Sequence, residues 1–477
     1  MQTNLEVSVG EQVVSGTLWM GSWRWSARLI GFVTTIILAR LLVPEDFGIV
    51  ATGAIIVGFF TLLIDLGTDS YLIRLFDTDR NDYDTAWTLR LIVISAACCA
   101  IFLAAQPGAD YFYVQRLVNV IRFFSIAGWL NGFTNIGLTM YRRELQFRKI
   151  AFIGLTQRII ASITSVTLAF LLHNYWAMII GESVFMIVGV LLSYIYHDYR
   201  PRFSLVNFRK QWDFCKWIVS RNLATIMQTQ GDSFVVARFF GIELMGFYSM
   251  GMRFAALPTR QLLAPVLPPV YSGLAKKQGV REEFVTGVLN IIGITFFLML
   301  PAAALFATLG ESLITAMLGE QWISVIPLVA PLTISVLLVV LTNPSATALT
   351  IEGRVKLLAG LNWFSAISVV AVLLFAAQWQ TIELLAWARV AITFIIMLLY
   401  YKYLLDAIKL SLSAFIGGIY RPILATLVMI AIVYYLTLMV SSAWLVIVAG
   451  VLIGSAVYLC VSVLLWRAAG APNTGEA

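Results

Sequence analysis

The sequence predicts an all-α integral membrane protein of about fourteen transmembrane helices, in two six-helix lobes followed by two C-terminal helices. Three observations predict it. Hydrophobic residues make up 60% of the chain and charged residues only 12%. Apolar runs long enough to cross a bilayer recur from end to end. Basic residues gather in alternate connections. Mean hydropathy is +0.88. A soluble domain carries about twice this charged fraction, and a soluble core of 477 residues could not hide so much apolar surface. Lipid is then the solvent for most of the chain. It forbids open backbone, so the spans must be helices.

At about 20 apolar residues per crossing, the spans fall near 16–40, 47–67, 86–106, 114–140, 150–172, 175–197, 214–240, 244–271, 284–308, 322–350, 355–377, 381–405, 419–440 and 443–466. Pro258, Pro265, Pro268 and Pro269 crowd the eighth span and should kink it. The stretch 1–12 is polar without a basic n-region, so it does not read as a cleavable signal peptide. One set of loops holds Arg74 and Arg80; Arg142, Arg143, Arg148 and Lys149; Arg200, Arg202, Arg209, Lys210 and Lys216. The same set continues with Lys276, Lys277 and Arg281; Arg354 and Lys356; Lys402, Lys409 and Arg421. The intervening loops hold clearly only Arg40 and Arg238. By the positive-inside rule both termini are expected in the cytoplasm, with an even number of spans. The net charge of +7 follows from this asymmetry. Spread over many short loops, it does not point to nucleic acid.

Several chemistries are disfavoured. Cys98, Cys99, Cys215 and Cys460 lack CxxC spacing and read as small apolar residues. Two histidines, His173 and His197, supply too few nitrogen ligands for metal catalysis and no triad. There is no phosphate-binding glycine loop, so ATP is not expected to drive the protein directly. Asp77-Thr78-Asp79 and Asp82-Tyr83-Asp84 resemble acidic pairs that hold a metal–nucleotide-sugar, but solvated acids are ordinary in a short loop. Trp19, Trp23 and Trp25 read first as interface anchors, with sugar stacking as the alternative. Neither a catalytic residue, a metal site nor a resident cofactor is expected.

An internal repeat sets the domain organisation. The stretch Ala39-Arg40-Leu41-Leu42-Val43-Pro44-Glu45-Asp46-Phe47-Gly48 returns without a gap as Ala237-Arg238-Phe239-Phe240-Gly241-Ile242-Glu243-Leu244-Met245-Gly246. Ala, Arg, Glu and Gly are identical, and Gly53 matches Gly251 beyond them. With six spans per half, the halves point the same way, related by an axis along the membrane normal. The expected division is an N-lobe over 1–200, a C-lobe over 201–410, and two extra helices with a short tail over 411–477.

Charged residues inside the spans are the candidate site. Arg24, Arg28, Arg122, Arg158, Arg221, Arg253, Arg260 and Arg389 all fall there. Facing lipid, eight arginines would cost roughly 20–28 kcal/mol. In the first span, Thr17, Gly21, Arg24, Arg28, Gly31 and Thr35 form one helical stripe. In the seventh, Arg221, Thr225, Gln228 and Asp232 form another. The expectation is a hydrated cationic cavity between the lobes, suited to an anion because guanidinium forks match phosphate oxygens. The plainer alternative pairs each arginine with an acid or places it at a helix end. Asp65, Glu182 and Asp232 are candidates for a coupling-ion site, proton or sodium, if desolvation raises their pKa; a salt bridge is the ordinary alternative for each. Asp69 and Glu383 are the other acids within or near spans.

Several segments carry a family resemblance. Leu38 to Gly48 resembles the opening of bacterial polysaccharide-transporter flippases, within the multidrug/oligosaccharidyl-lipid/polysaccharide exporter superfamily. Asp84-Thr85-Ala86-Trp87, Arg143-Glu144-Leu145-Gln146-Phe147-Arg148-Lys149, Asn174-Tyr175-Trp176-Ala177, Arg200-Pro201, and Gly246-Phe247-Tyr248 through Leu257-Pro258 are similar to its patterns in the same order. The resemblance implies a bacterial inner-membrane flippase for undecaprenyl-diphosphate-linked oligosaccharide, of the colanic acid, O-antigen or other exopolysaccharide type. It implies alternating access of two lobes and no ATPase domain. The expected partners are that lipid-linked substrate, membrane lipid, and the glycan polymerase and biosynthesis machinery. A drug or small-molecule exporter of the same superfamily is the alternative, disfavoured by the excess of arginine over acid. A membrane glycan polymerase or ligase is disfavoured by the short outer loops.

Overall fold

The computed structural model describes residues 9–64, 67–75, 78–259, 274 and 280–468. These residues are helical apart from short connections, and they divide into two compact units between Gly246 and Phe247. Nine helical stretches among the described residues are long and apolar enough to cross a membrane. The protein is therefore an all-helical, multi-pass membrane protein.

The first unit holds α1 (Val9–Leu41), α2 (Pro44–Ile64), α3 (Thr68–Arg74), α4 (Arg80–Leu103) and α5 (Ala105–Tyr111). It continues with α6 (Leu117–Asn131), α7 (Gly137–Arg143), α8 (Phe147–Leu172), α9 (Trp176–Tyr196) and α10 (Phe208–Phe239). Helix α11 (Gly241–Ala255) crosses the division. Helix α1 lies along α8, α8 along α9, and α2 along α10. That last pairing carries this unit well beyond residue 200.

Local chemistry sets the helix starts. Pro44 opens α2 with glutamate and aspartate in its first turn, where acids suit the helix dipole. Asp46 accepts from the Val43 N–H at 3.3 Å. Asp79 and Asp82 form a reciprocal capping box at the start of α4. The fourth expected span, 114–140, is broken into α6 and α7. Asn135 sits in the break: its amide donates to the Tyr199 carbonyl at 2.7 Å, and its Oδ1 accepts from the Gly137 N–H at 2.9 Å. The Thr134 carbonyl accepts from Arg90. These bonds replace the helical ones that the break removes. Helix α11 stops at Ala255, just before Pro258, which has no N–H to give the preceding turn. Pro265, Pro268 and Pro269 lie outside the described residues.

The two copies of the repeat meet. A Cβ on Gly48 would collide with the carbonyl of Ile242, and a Cβ on Gly246 with the carbonyl of Pro44. Gly246 is the counterpart of Gly48, and Ile242 the counterpart of Pro44. The contact is therefore reciprocal, as a twofold relation between the copies requires.

The second unit holds α12 (Arg281–Thr308), α13 (Gly310–Met317), α14 (Ile326–Leu341) and α15 (Asn343–Ile351). It ends with α16 (Val355–Ala376), α17 (Ile382–Ile408), α18 (Leu412–Met439) and α19 (Ala443–Ala468). Its core packs Phe284, Ile292, Phe296, Leu341, Tyr401 and Phe415. Arg281 closes one end: it pairs with Glu352 at 2.6 Å and donates to the Ala407 carbonyl at 2.7 Å. Tyr401 donates to the Leu341 carbonyl at 2.7 Å, and Tyr458 to that of Phe297 at 2.8 Å. Each hydroxyl ties one span to another where lipid offers no partner.

Candidate functional site

Helices α1 and α8 bring part of the predicted arginine set together. Arg148, at the start of α8, lies with its guanidinium 5.3 Å from the Trp19 ring centre. Trp23 packs into the space left by Gly154, and the Arg158 guanidinium into the space left by Gly31. Gly31 belongs to the α1 stripe that carries Arg24 and Arg28. Both of those arginines are exposed, Arg158 is half-buried, and Arg28 engages a neighbour. At about 1.5 Å of rise per residue, Arg24, Arg28 and Gly31 span roughly two helical turns. Three cationic heads are thus gathered on one helix pair. Thr35 donates to the Gly31 carbonyl at 2.8 Å and adds its own polar group one turn further along.

The other predicted residues lie elsewhere. Arg122, exposed on α6, sits with its guanidinium 5.3 Å from the Phe102 ring centre on α4. Glu182 is exposed on α9, and Asp232 is buried on α10 with a partner. In the second unit, Arg253 is exposed on α11, and Arg389 is buried on α17, donating to the Tyr248 hydroxyl at 2.9 Å. The Arg221 side chain, Arg260 and Asp65 lie outside what the structure describes.

Sequence reasoning missed a polar network at the basic-loop end of the first unit. Asp84 is buried and accepts from the Tyr199 hydroxyl at 2.7 Å and the Arg202 N–H at 2.9 Å, with Arg80 at 3.6 Å. Burial, then the hydrogen bond to Asp84, push the Tyr199 phenol above its ordinary pKa. Asn207 donates to Asp82 at 2.7 Å, and Gln211 to the Asp82 carbonyl at 2.9 Å. Asp69 accepts from Thr139 at 2.6 Å and pairs with Arg142. Arg90, also within a span, joins α4 to the break after α6. The signal for it was present: an arginine ten residues into α4. Among the described residues, no cluster of His, Cys, Asp and Glu is disposed to hold a metal ion. Asp79, Asp82 and Asp84, whose spacing resembles a metal–nucleotide-sugar motif but which read as ordinary loop acids, cap α4 and hold the loop after α9.

Residues 37–327 match the family described as "Polysaccharide biosynthesis protein". The chain belongs to this family. The succinoglycan biosynthesis transport protein ExoT of Rhizobium meliloti (strain 1021) is 24% identical over 449 residues, covering 91% of this chain and 90% of that protein. The lipopolysaccharide biosynthesis protein WzxC of Escherichia coli (strain K12) is 22% identical over 380 residues, covering 78% of this chain and 76% of that one. The solved structure of the lipid II flippase MurJ, in an inward closed conformation, superposes with a TM-score of 0.77 at 16% identity. It covers 94% of this chain and 99% of MurJ, so the fold is shared. The chain is a membrane transport protein of polysaccharide biosynthesis, not an enzyme.

The short segments that carry the resemblance meet in space. Asp84, which opens the Asp84-Thr85-Ala86-Trp87 motif, binds the backbone just beyond Arg200-Pro201. Asp46, in the opening motif, accepts from the N–H of Tyr175 at 3.1 Å and so joins the Asn174-Tyr175-Trp176-Ala177 motif. Arg143 donates to the Leu75 carbonyl at 2.8 Å and to Thr78. These short segments are joints between helix ends.

Proposed function

We propose that this protein is a flippase that moves undecaprenyl-diphosphate-linked oligosaccharide from the cytoplasmic to the periplasmic leaflet for exopolysaccharide or O-antigen assembly. The lobes 1–200 and 201–410 alternate their access, the helices of 411–477 flank them, and both termini face the cytoplasm of a bacterial inner membrane. The diphosphate is the hard part of the cargo, because a charge in hydrocarbon is costly. Guanidinium groups offset that cost with charge-assisted, bidentate hydrogen bonds. The polyprenyl tail stays in lipid throughout. The observation that carries this reading is the grouping of Arg24, Arg28 and Arg158 on the α1–α8 pair, with Arg158 seated on Gly31. Arg122, Arg221, Arg253, Arg260 and Arg389 extend the same proposed role. Asp65, Glu182 and Asp232 are the proposed positions for coupling to a proton or sodium gradient. The cargo's onward partners are then the polymerase and the rest of the biosynthesis machinery.

The test moves the guanidinium without deleting it. Gly31→Ala puts a methyl group where the Arg158 head sits, and a flexible arginine end yields cheaply. Export of lipid-linked glycan, measured at matched expression, should fall about tenfold in Arg158→Ala and several-fold in Gly31→Ala. Arg158→Lys should recover only part, because an ammonium lacks the planar fork. Full export in Arg24→Ala, Arg28→Ala and Arg158→Ala would remove this site.

A further inference from the structure

On the first unit, the far end of α4, the short α5 and the end of α10 build a surface apart from the α1–α8 pair that carries Arg24, Arg28 and Arg158. Phe112 is buried and meets Tyr111 and Phe234 edge-on, at 5.2 and 5.4 Å between ring centres. Tyr111 stacks on Phe234 at 5.5 Å. Arg238 then clamps the two exposed tyrosines. Its guanidinium lies 5.0 Å from the Tyr111 ring centre and 4.6 Å from that of Tyr113, and it donates to the Tyr113 hydroxyl at 3.2 Å. Tyr113 is 77% exposed although its backbone φ is +58°. A side chain there costs about 1–2 kcal/mol that glycine would avoid. The chain holds an aromatic ring out to solvent at a position where glycine is the cheap choice.

Beside the rings stands a set of polar groups with fixed directions. Gln106 and Gln115 both donate to Asp110 Oδ1, at 3.0 and 2.8 Å, and Gln106 donates to Gln115 at 3.2 Å. All three residues are exposed. A carboxylate offers about four acceptor positions and each amide both donates and accepts, so capacity remains for outside hydroxyl groups. Flat rings beside amides and a carboxylate match one ligand class closely. A pyranose presents a C–H face to an aromatic ring and vicinal hydroxyls to amide and carboxylate oxygens.

We propose that Tyr111, Tyr113, Asp110, Gln106 and Gln115, held by Arg238, form a surface subsite for oligosaccharide. Helices α4 and α10 each start at a basic loop and reach this surface at their other ends, so it lies on the non-cytoplasmic side by the positive-inside rule. There it receives the sugar portion of the cargo as it leaves. Only that last step rests on the flippase reading. The competing role, a pair of interfacial tyrosines anchored among lipid headgroups, fits the polar triad poorly.

The test uses the full-length protein in lipid nanodiscs. The probe is the water-soluble oligosaccharide released by mild acid from the host's lipid-linked pool, followed by saturation-transfer NMR. Tyr113→Gly suits the local backbone, so it removes the ring without strain; it should weaken binding about fivefold or more. Asp110→Ala should weaken it comparably, and Tyr113→Trp should retain it. Unchanged binding in both Tyr113→Gly and Asp110→Ala would overturn the proposal. So would a phenotype limited to altered stability in bilayers of different thickness, which marks lipid anchors. Should the wild-type protein fail to translocate lipid-linked glycan yet still bind the sugar through Tyr113, the flippase reading falls and the subsite stands.

Discussion

In the first unit, polar and charged side chains occupy several of the notches between helices. Arg158 fills the space over Gly31, Gln157 that over Gly189, and Ser165 that over Gly181. In the second unit, hydrocarbon fills the core. Phe284, Phe296 and Tyr401 pack together, and an apolar cleft of about 1020 Å³ lies beside them, lined by Leu300, Leu337, Phe394, Ile423 and Leu427 among others. Lys402 and Asp406 are among its few charged residues. The two units face the same solvent with different means. Lipid is as apolar as leucine, so it does not drive helices together by burial. Close backbone approach and bonds from polar and charged side chains do that in the first unit, while in the second the shape-fitting of large side chains is joined by hydroxyl bonds such as those of Tyr401 and Tyr458.

The largest effect is expected at the repeat contact. Gly48→Ala and Gly246→Ala each push a methyl group into a backbone carbonyl, which cannot swing aside as a side chain can. Each should cost about 1–3 kcal/mol or more in reversible unfolding in detergent, and the two costs should be similar because the contact is reciprocal. The double variant should cost less than their sum, since both act on one joint. Clearly unequal single costs would break the twofold interpretation.

Asp84→Ala comes next. It leaves the Arg202 N–H without its acceptor and the Tyr199 hydroxyl with only the longer bond to the Arg80 carbonyl at 3.3 Å, at about 1–3 kcal/mol for the orphaned group. Hydrogen exchange should show the segment 199–207 opening first. A loss confined below about 0.5 kcal/mol would mean that water satisfies the joint and that polar contacts do not hold these helix ends of the first unit together.

A paired substitution sharpens the contrast between units. Gly31→Ala should barely change stability while displacing Arg158 and lowering export. Ala304→Leu, into the cleft of the second unit, should change neither by much, because about one added side chain finds open apolar space there. A fall in export from Ala304→Leu as large as that from Gly31→Ala would erase the distinction.

The smallest effect is with pH. The folded pKa of Tyr199 is raised above its unfolded value, so the stability linked to its proton is fully present below the unfolded pKa of about 10 and is lost as pH rises above that. Spectroscopic titration should find this phenol protonated through neutral pH. Tyr199→Phe should remove the alkaline sensitivity of the 199–207 segment at the cost of one hydrogen bond.

Composition and apolar run length were enough to determine that the chain crosses a membrane many times as helices. Bilayer thickness and the need to bond every backbone group leave no other arrangement. The stripe Arg24, Arg28 and Gly31 was legible for the same reason, since helical periodicity places those residues on one face before any partner is known. What only tertiary structure decided is which side chain arrives from another helix. Nothing in the sequence says that Arg158 rests on Gly31, that Asn135 breaks the fourth span by binding the end of α9, or that Arg238 holds two tyrosines from a loop 125 residues away. Spacing fixes directions within one helix, whereas partners between helices depend on packing that local sequence does not encode.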